Sequence, residues 1–224
     1  MTTQPQAGSR GAGRAVVLAS DADIGVLSQV IAAAFADLAP CQWLIGNPAA
    51  RREILPGYFR ILVEHAMTAG TVYTTADRTA AALWIPAGPD GPGQPTGYDE
   101  RLARVTGEWV EGFAIFDQEL DAHHLTSLAH HHLAILAVRP DRQGQGTGTA
   151  LLNAHHAVLD QTGIVAYLEA ADQRSRGLYL RHGYILRPDA PIRLPDGPEM
   201  WPMVRHPRAP AEPPPRTRRI RRCQ

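Results

Sequence analysis

The stretch Leu133-Ala-Ile-Leu-Ala-Val-Arg-Pro-Asp-Arg-Gln-Gly-Gln-Gly-Thr-Gly-Thr-Ala-Leu-Leu152 decides how this chain is read. It opens on a nearly continuous apolar run of strand length, 133–138, which predicts a buried central strand. Pro140 has no N–H and stops the ladder. Gly144, Gly146 and Gly148 carry no Cβ, so backbone there can approach a ligand closely. A helix is predicted next, over 146–161. Its first N–H groups lack intrahelical partners and its dipole is positive at that end. Strand, turn and helix together make an anion cradle suited to phosphate or pyrophosphate. A dinucleotide loop is excluded by spacing: counted from Gly144 the third glycine position is Thr149, and counted from Gly146 it is Leu151.

Outward from this segment, strands and helices alternate. A short strand is expected over 14–20, with Asp21 or Asp23 placed to cap the following helix. Ile24, Leu27, Val30, Ile31, Ala34, Phe35 and Leu38 fall on one helical face. Pro56-Gly57 predicts an interruption, with a helix resuming over 58–67. Residues 71–75 and 79–85 read as a hairpin across Ala76-Asp77-Arg78. A Gly- and Pro-rich loop covers 87–96. Leu102, Val105, Trp109 and Phe113 predict one further helix. Beyond the cradle come a strand over 164–170, a short helix over 175–182, and closing strands over 184–187 and 200–204. The pattern is an α/β layered domain.

The chain has 224 residues, of which 44% are hydrophobic and 20% charged. That predicts one packed domain over 14–206, with disordered ends at 1–13 and 207–224. No apolar run reaches about 18 residues, so no spanning helix and no membrane partner are expected. Cys41 and Cys223 are too far apart for a disulfide framework, and a cytoplasmic protein is expected. All 22 residues counted as Lys+Arg are Arg. The lack of lysine rules out a Walker A loop and a pyridoxal Schiff base. Seven Arg and one Glu fall within 205–224, so a basic tail offsets an acidic body. Without interleaved aromatics or a reading motif, that tail is expected to be solvated, not bound to nucleic acid.

The spacing Gln143-x-x-Gly146-x-Gly148, behind a strand ending Val138-x-Pro140, resembles the acetyl-CoA loop of the GNAT superfamily of N-acetyltransferases. Tyr167-Leu-Glu-Ala170, then Ser175, then Gly177-Leu-Tyr-Leu-Arg-His-Gly-Tyr184 resemble that family's next strand and helix. Ala32-Ala-Ala-Phe-Ala-Asp37 is similar to the first helix of its puromycin-acetyltransferase-like branch. The resemblance is specific over 130–184 and weaker over 14–45 and 197–204. It implies a GNAT-like mixed, centrally splayed β-sheet with helices on both faces. Acetyl-CoA would lie in the opening between the strands ending near Val138 and Ala170. Backbone of Leu136, Ala137 and Val138 would meet the pantetheine arm. Gln143, Gly144, Gln145, Gly146, Thr147, Gly148 and Thr149 would hold the pyrophosphate, with Arg142 adding charge. Tyr179 would protonate the departing thiolate, and Ser175 stands where the family often has Asn. The implied reaction is direct transfer to an amine in a ternary complex.

The attacking amine must be neutral, so a base is expected. Glu169 is the first candidate; pairing with an Arg is its alternative. His130 and His132 follow, on one strand face with His131 on the other. Phe35, Asp37 and Trp43 are expected at the acceptor, a primary amine of an antibiotic-like small molecule or of a peptide natural product. Cys41 is expected to line that pocket. No metal is expected, because adjacent strand histidines diverge and no H-E-x-x-H occurs. His155-His156-Ala-Val-Leu-Asp160 is similar to the HHxxxD pattern of chloramphenicol acetyltransferases, but Gln161 follows where a Gly should. Its histidines are expected on a helix surface. The competing reading is a non-catalytic acetyl-CoA-binding module whose Arg-rich tail contacts nucleic acid or a protein partner. A monomer or homodimer is expected.

Overall fold

The computed structural model describes residues 15–208. The expected disordered N-terminus, and all of the expected disordered tail beyond residue 208, lie outside the described residues. Eight strands form one sheet: β1 (Val16–Leu18), β2 (Thr71–Thr75), β3 (Ala80–Ala87), β4 (His130–Val138), β5 (Val165–Ala170), β6 (Ile185–Leu186), β7 (Ile192–Arg193) and β8 (Glu199–Arg205). Their order is β1-β2-β3-β4-β5-β8-β6, and β7 pairs with β8. Among the described residues only β4 and β5 pair in parallel. The two-residue β7 has no counterpart in the sequence reading.

Helices cover both faces. One face carries α1 (Ile24–Phe35), α2 (Ala39–Leu44), α3 (Pro48–Ala69), α4 (Tyr98–Thr106) and α5 (Val110–His123) over Ala81, Leu83, Ile85, Ile135 and Ala137. The other carries α6 (Thr147–Thr162) and α7 (Gln173–Arg181) over Ala80, Ala82, Trp84, Leu133 and Leu168. This alternation of neighbouring residues between two cores is the period of two that a doubly covered strand demands. Among the described residues, no helix is long and apolar enough to cross a membrane.

Three local expectations are corrected. The helix at 48–69 runs unbroken through Pro56. Proline removes one hydrogen bond there, but Leu55, Tyr58, Phe59, Ile61, Val63 and Ala66 are buried along the helix, and that packing outweighs the loss. Gly57 lets α4 approach: a Cβ there would stand 2.8 Å from Val105 Cγ1. The predicted helix through Leu102 and Phe113 is two, α4 and α5, joined by a 3-10 turn at Gly107–Trp109. Finally, Asp23 does not cap α1 with its side chain. It accepts from Ser20 N at 2.9 Å in a capping box around a 3-10 turn, and pairs with Arg78 at 2.8 Å.

The centre of the sheet carries the feature that makes the site. Trp84 pairs with Leu133 and Leu83 with Ile135, so Ala134 is an extra residue on β4. Such a bulge bends its strand and switches which side chains face each side. Before it, His130 and His132 share a face with Ile85; after it, Ile135 and Ala137 take that face. Pairing of β4 with β5 is confined to His130–Val165, His131–Ala166 and His132–Tyr167. Beyond His132 the two strands part, although β4 runs to Val138 and β5 to Ala170.

Candidate active site

A cavity of about 770 Å³ fills the opening where β4 and β5 part. Its cradle end is built from the turn after β4. Gly144 and Gly146 hold φ of +72° and +84°, conformations that a side chain would strain. Gly146 caps α6, and the first intrahelical bond comes from Ala150 N to Gly146 O, so the N–H groups of Thr147, Gly148 and Thr149 precede the helical ladder. Gln143 braces the turn: its amide donates to Val138 O at 3.0 Å, and its carbonyl accepts from Arg174 at 2.8 Å.

Most of the expected cofactor contacts meet at this cavity. Leu136, Ala137, Val138, Arg142, Gln143 and Gly144 line it, as do Gly146, Thr147, Gly148, Thr149, Ser175 and Tyr179. Gln145 does not. Ser175 belongs to a capping box with Asp172, whose carboxylate accepts from Ser175 N at 2.6 Å. Tyr179 is 6% exposed, and burial pushes its phenol well above the ordinary value. A pantetheine thioester with a pyrophosphate fits these residues: among the described residues the β4 edge that faces β5 has no partner strand beyond His132, and the glycine cradle lies at its end.

The middle of the cavity holds an ionisable cluster. His132 Nε2 donates to Glu169 Oε2 at 2.8 Å. Glu169 and His132 share a face because β5 puts Tyr167, opposite His132, and Glu169 on one side. Glu169 therefore pairs with a histidine and not with an Arg. Burial is the largest influence and opposes its ionisation, but His132, with Tyr167 and His124 behind it, outweighs that, and the carboxyl lies below its ordinary range. Its Oε1 is buried without a hydrogen-bond partner among the described residues.

His124, which sequence reasoning passed over, completes the cluster. Its Nδ1 lies 3.9 Å from Glu169 Oε1. The hydrogen bonds fix its tautomer. His130 Nδ1 donates to Leu128 O at 3.0 Å, leaving a lone pair on its Nε2. His124 Nε2 must then donate to His130 Nε2, at 3.1 Å, so His124 Nδ1 turns a lone pair toward Glu169. Burial, with His132 next, lowers the His124 pKa to about 4. His130 thus stands behind the cavity and does not line it. Adjacent strand histidines do diverge, His131 facing His155, but His124 from another segment joins His132: donor atoms of His124, His132 and Glu169 lie within 4.8 Å of one another, a separation that a metal ion could bridge. In this structure the 2.8 Å contact among them is a hydrogen bond. A run of His124 with His130 and His132 was the available signal, unusable without the 124–130 loop's path.

The remaining wall is apolar, formed by Phe35, Leu38, Tyr58, Phe59, Leu62 and Phe116. Asp37 and Cys41 also line it. Burial, against a weaker pull from Arg51, pushes the Cys41 thiol up to about 12, so it carries no thiolate. Trp43 does not reach the cavity: its indole donates to Pro195 O at 3.0 Å. Asp117 accepts from Tyr98 Oη at 2.8 Å, and burial raises its pKa to about 6. The His155-His156 pair is not on a helix surface. His155 stacks on Trp84 with ring centroids 4.3 Å apart and bonds His131 at 2.8 Å; His156 bonds Tyr184 Oη at 3.0 Å. Neither lines the cavity.

Residues 99–186 match the family model of the acetyltransferase (GNAT) domain. A crystal structure of histone acetyltransferase HPA2 and related acetyltransferase from Corynebacterium glutamicum is similar in fold. It has 24% identity and a TM-score of 0.61, over 88% of this chain and 97% of that one. Arylalkylamine N-acetyltransferase 2 from Aedes aegypti gives 14% and 0.56, over 86% and 98%. An agmatine N-acetyltransferase gives 15% and 0.54, again over 86% and 98%. The likenesses establish the fold, a mixed sheet flanked by helices as in acetyltransferases of this kind. Fold and domain match together support an acetyl-CoA-dependent N-acetyltransferase, the match to the GNAT domain model covering residues 99–186, less than half of the chain.

Proposed function

We propose that the protein acetylates the primary amine of a small molecule with an apolar body, of antibiotic-like or peptide natural-product type. The observation that carries this is the cavity itself: the unpaired β4 edge and glycine cradle open onto an ionised carboxylate, and rings line the far wall. The similarity of residues 32–37 to the puromycin-acetyltransferase-like branch fits such an acceptor.

Acetyl-CoA, when bound, supplies an acetyl group activated as a thioester. The N–H groups of Thr147, Gly148 and Thr149 hold the pyrophosphate, helped by Arg142. Backbone of Leu136, Ala137 and Val138 orients the pantetheine arm, with Ser175 near it. Glu169 takes the ammonium proton, and His132, bonded to the carboxylate, fixes its direction. His130 acts at one remove by setting the His124 tautomer. Tyr179 keeps its proton at neutral pH and is the acid the site offers. Phe35 and Asp37 contact the acceptor. From the ammonium form, the net reaction forms one N–C bond, breaks one C–S bond, moves one amine proton to the thiol sulfur, and releases to solvent the proton that Glu169 takes.

The test is calorimetric titration with acetyl-CoA, followed by thiol release in the presence of a panel of primary amines. Saturable binding with amine-dependent thiol release is expected. Absence of acetyl-CoA binding defeats the proposal.

A further inference from the structure

The cavity walls are divided by charge. On the cradle side the charged side chains are Arg142, Arg174 and Arg181, with Asp172 held in the helix cap by Ser175 N; on the acceptor side they are Asp37, Asp117, Asp121 and Glu169. Asp117 is the informative one. It is half-buried, its one hydrogen bond comes from the neutral Tyr98 hydroxyl, and among the described residues no Arg or His lies within ion-pair distance of it. A carboxylate withdrawn from water without a cation is destabilising. A cation supplied by a ligand would offset that. A second, independent observation points the same way: Glu169, whose side chain is 5% exposed, has Oε1 in the same cavity without a hydrogen-bond partner among the described residues.

Spacing sets the length of such a ligand. Asp117 lies on α5 and His124, beside Glu169, caps its C-terminal end. Seven residues of helix separate them, about 10 Å along the axis. Asp121 lies one turn from Asp117, toward His124. Apart from Asp121, the acceptor side carries the apolar side chains of Phe35, Phe59, Leu62 and Phe116.

We propose that the acceptor is doubly cationic: the reacting amine sits at Glu169, an apolar spacer lies on the rings, and a second ammonium or guanidinium pairs with Asp117. This rests on the acetyl-transfer reading of the same cavity. It adds what that reading leaves open, a specificity element that selects diamines over monoamines of equal length.

The experiment compares hexamethylenediamine with hexylamine as acceptors, at a pH well above 6 so that Asp117 is ionised. The diamine is expected to have a kcat/KM higher by about tenfold or more. In Asp117→Asn the ratio is expected to fall to about that of two statistically equivalent amines. Calorimetry of each amine with the CoA-loaded protein gives a readout that does not need turnover. Equal acetylation of both amines overturns this inference and leaves acetyl transfer standing. If neither is acetylated, the binding data decide: diamine-selective binding lost in Asp117→Asn supports the inference while acetyl transfer fails, and equal or absent binding overturns it. A circular dichroism melt of Asp117→Asn separates a lost preference from a lost fold, and Asp117→Glu, which keeps the charge, is expected to retain part of the preference.

Discussion

Replacing His156 by Gln tests whether α6 carries neutral, buried imidazoles. His156 is 5% exposed and its ring is bonded to Tyr184 Oη. Burial first, then Arg205 and His182, pushes its pKa down to about 3 from 6.5. His155 is lowered to about 3 as well, by burial and then His131. The folded value lies below the unfolded one, so the unfolded chain takes up a proton below pH 6.5 that the folded chain refuses until about pH 3. Stability is therefore greatest above 6.5 and falls as pH drops through that window. Each such group costs about 1.4 kcal/mol per pH unit once pH is well below 6.5. At about pH 5 that is roughly 2 kcal/mol for each histidine, a large part of the usual 5–15 kcal/mol of a domain. Asp117 acts in the opposite sense, since its folded pKa is raised to about 6. It does so equally in both proteins, so the comparison removes it. Gln keeps a polar partner for Tyr184 and does not titrate. Urea melts at a series of pH values, extrapolated linearly, give the slope of stability against pH. The variant is expected to lose about 1.4 kcal/mol per pH unit of that slope between about pH 6 and 4. An unchanged slope would falsify the buried, neutral assignment, whatever the variant's absolute stability.

Three further outcomes concern the site. Glu169→Gln removes the carboxylate that His132 holds ionised, and kcat is expected to fall by about 10² to 10⁴, read by thiol release. Calorimetric affinity for acetyl-CoA should change little, and an unchanged kcat assigns the base elsewhere. Tyr179→Phe removes the one phenol lining the cradle end of the cavity; about 10² in kcat should go while acetyl-CoA binding is nearly kept. Gly146→Leu places a side chain on a residue at φ +84°, a strain of about 1–3 kcal/mol at the helix cap, and acetyl-CoA affinity should drop by about tenfold or more. Retained affinity there would mean that the cradle does not bind the pyrophosphate.

Short-range signals in the sequence located the cradle and the strands around it. Glycines at 144 and 146, and the apolar run at 133–138, act within a few residues, and the structure keeps the glycine turn and the strand's end at Val138 while starting the strand three residues earlier, at His130. Pairwise geometry between distant segments was less legible. Period-two alternation put His130 and His132 on one face, and that holds. Which of them reaches the cavity depends on Ala134 being a bulge and on the path of 124–130, and neither leaves a local mark. Pro56 misled because a local breaker competed with a buried face longer than the break. Likewise His155 and His156 looked like surface polar residues on an amphipathic helix, yet their partners Trp84, His131 and Tyr184 come from three other parts of the chain.

The bulge also explains why one strand serves two chemistries. Without an extra residue, β4 would carry the face of His130 and His132 straight on to Ala134 and Leu136. Ala134 instead turns Ile135 and Ala137 onto that face, where they pack under α1 and α3. Leu136 then faces α6 and α7, and the β4 backbone beyond His132 swings away from β5. Upstream of the bulge, paired strands hold His132 and Glu169 at hydrogen-bond distance, which a proton-transfer site requires. Downstream, the same strand must leave one edge unpaired to receive an extended ligand, which β-pairing would forbid. A single residue inserted at Ala134 satisfies both demands, so the acid–base cluster and the ligand edge meet within four residues of one strand.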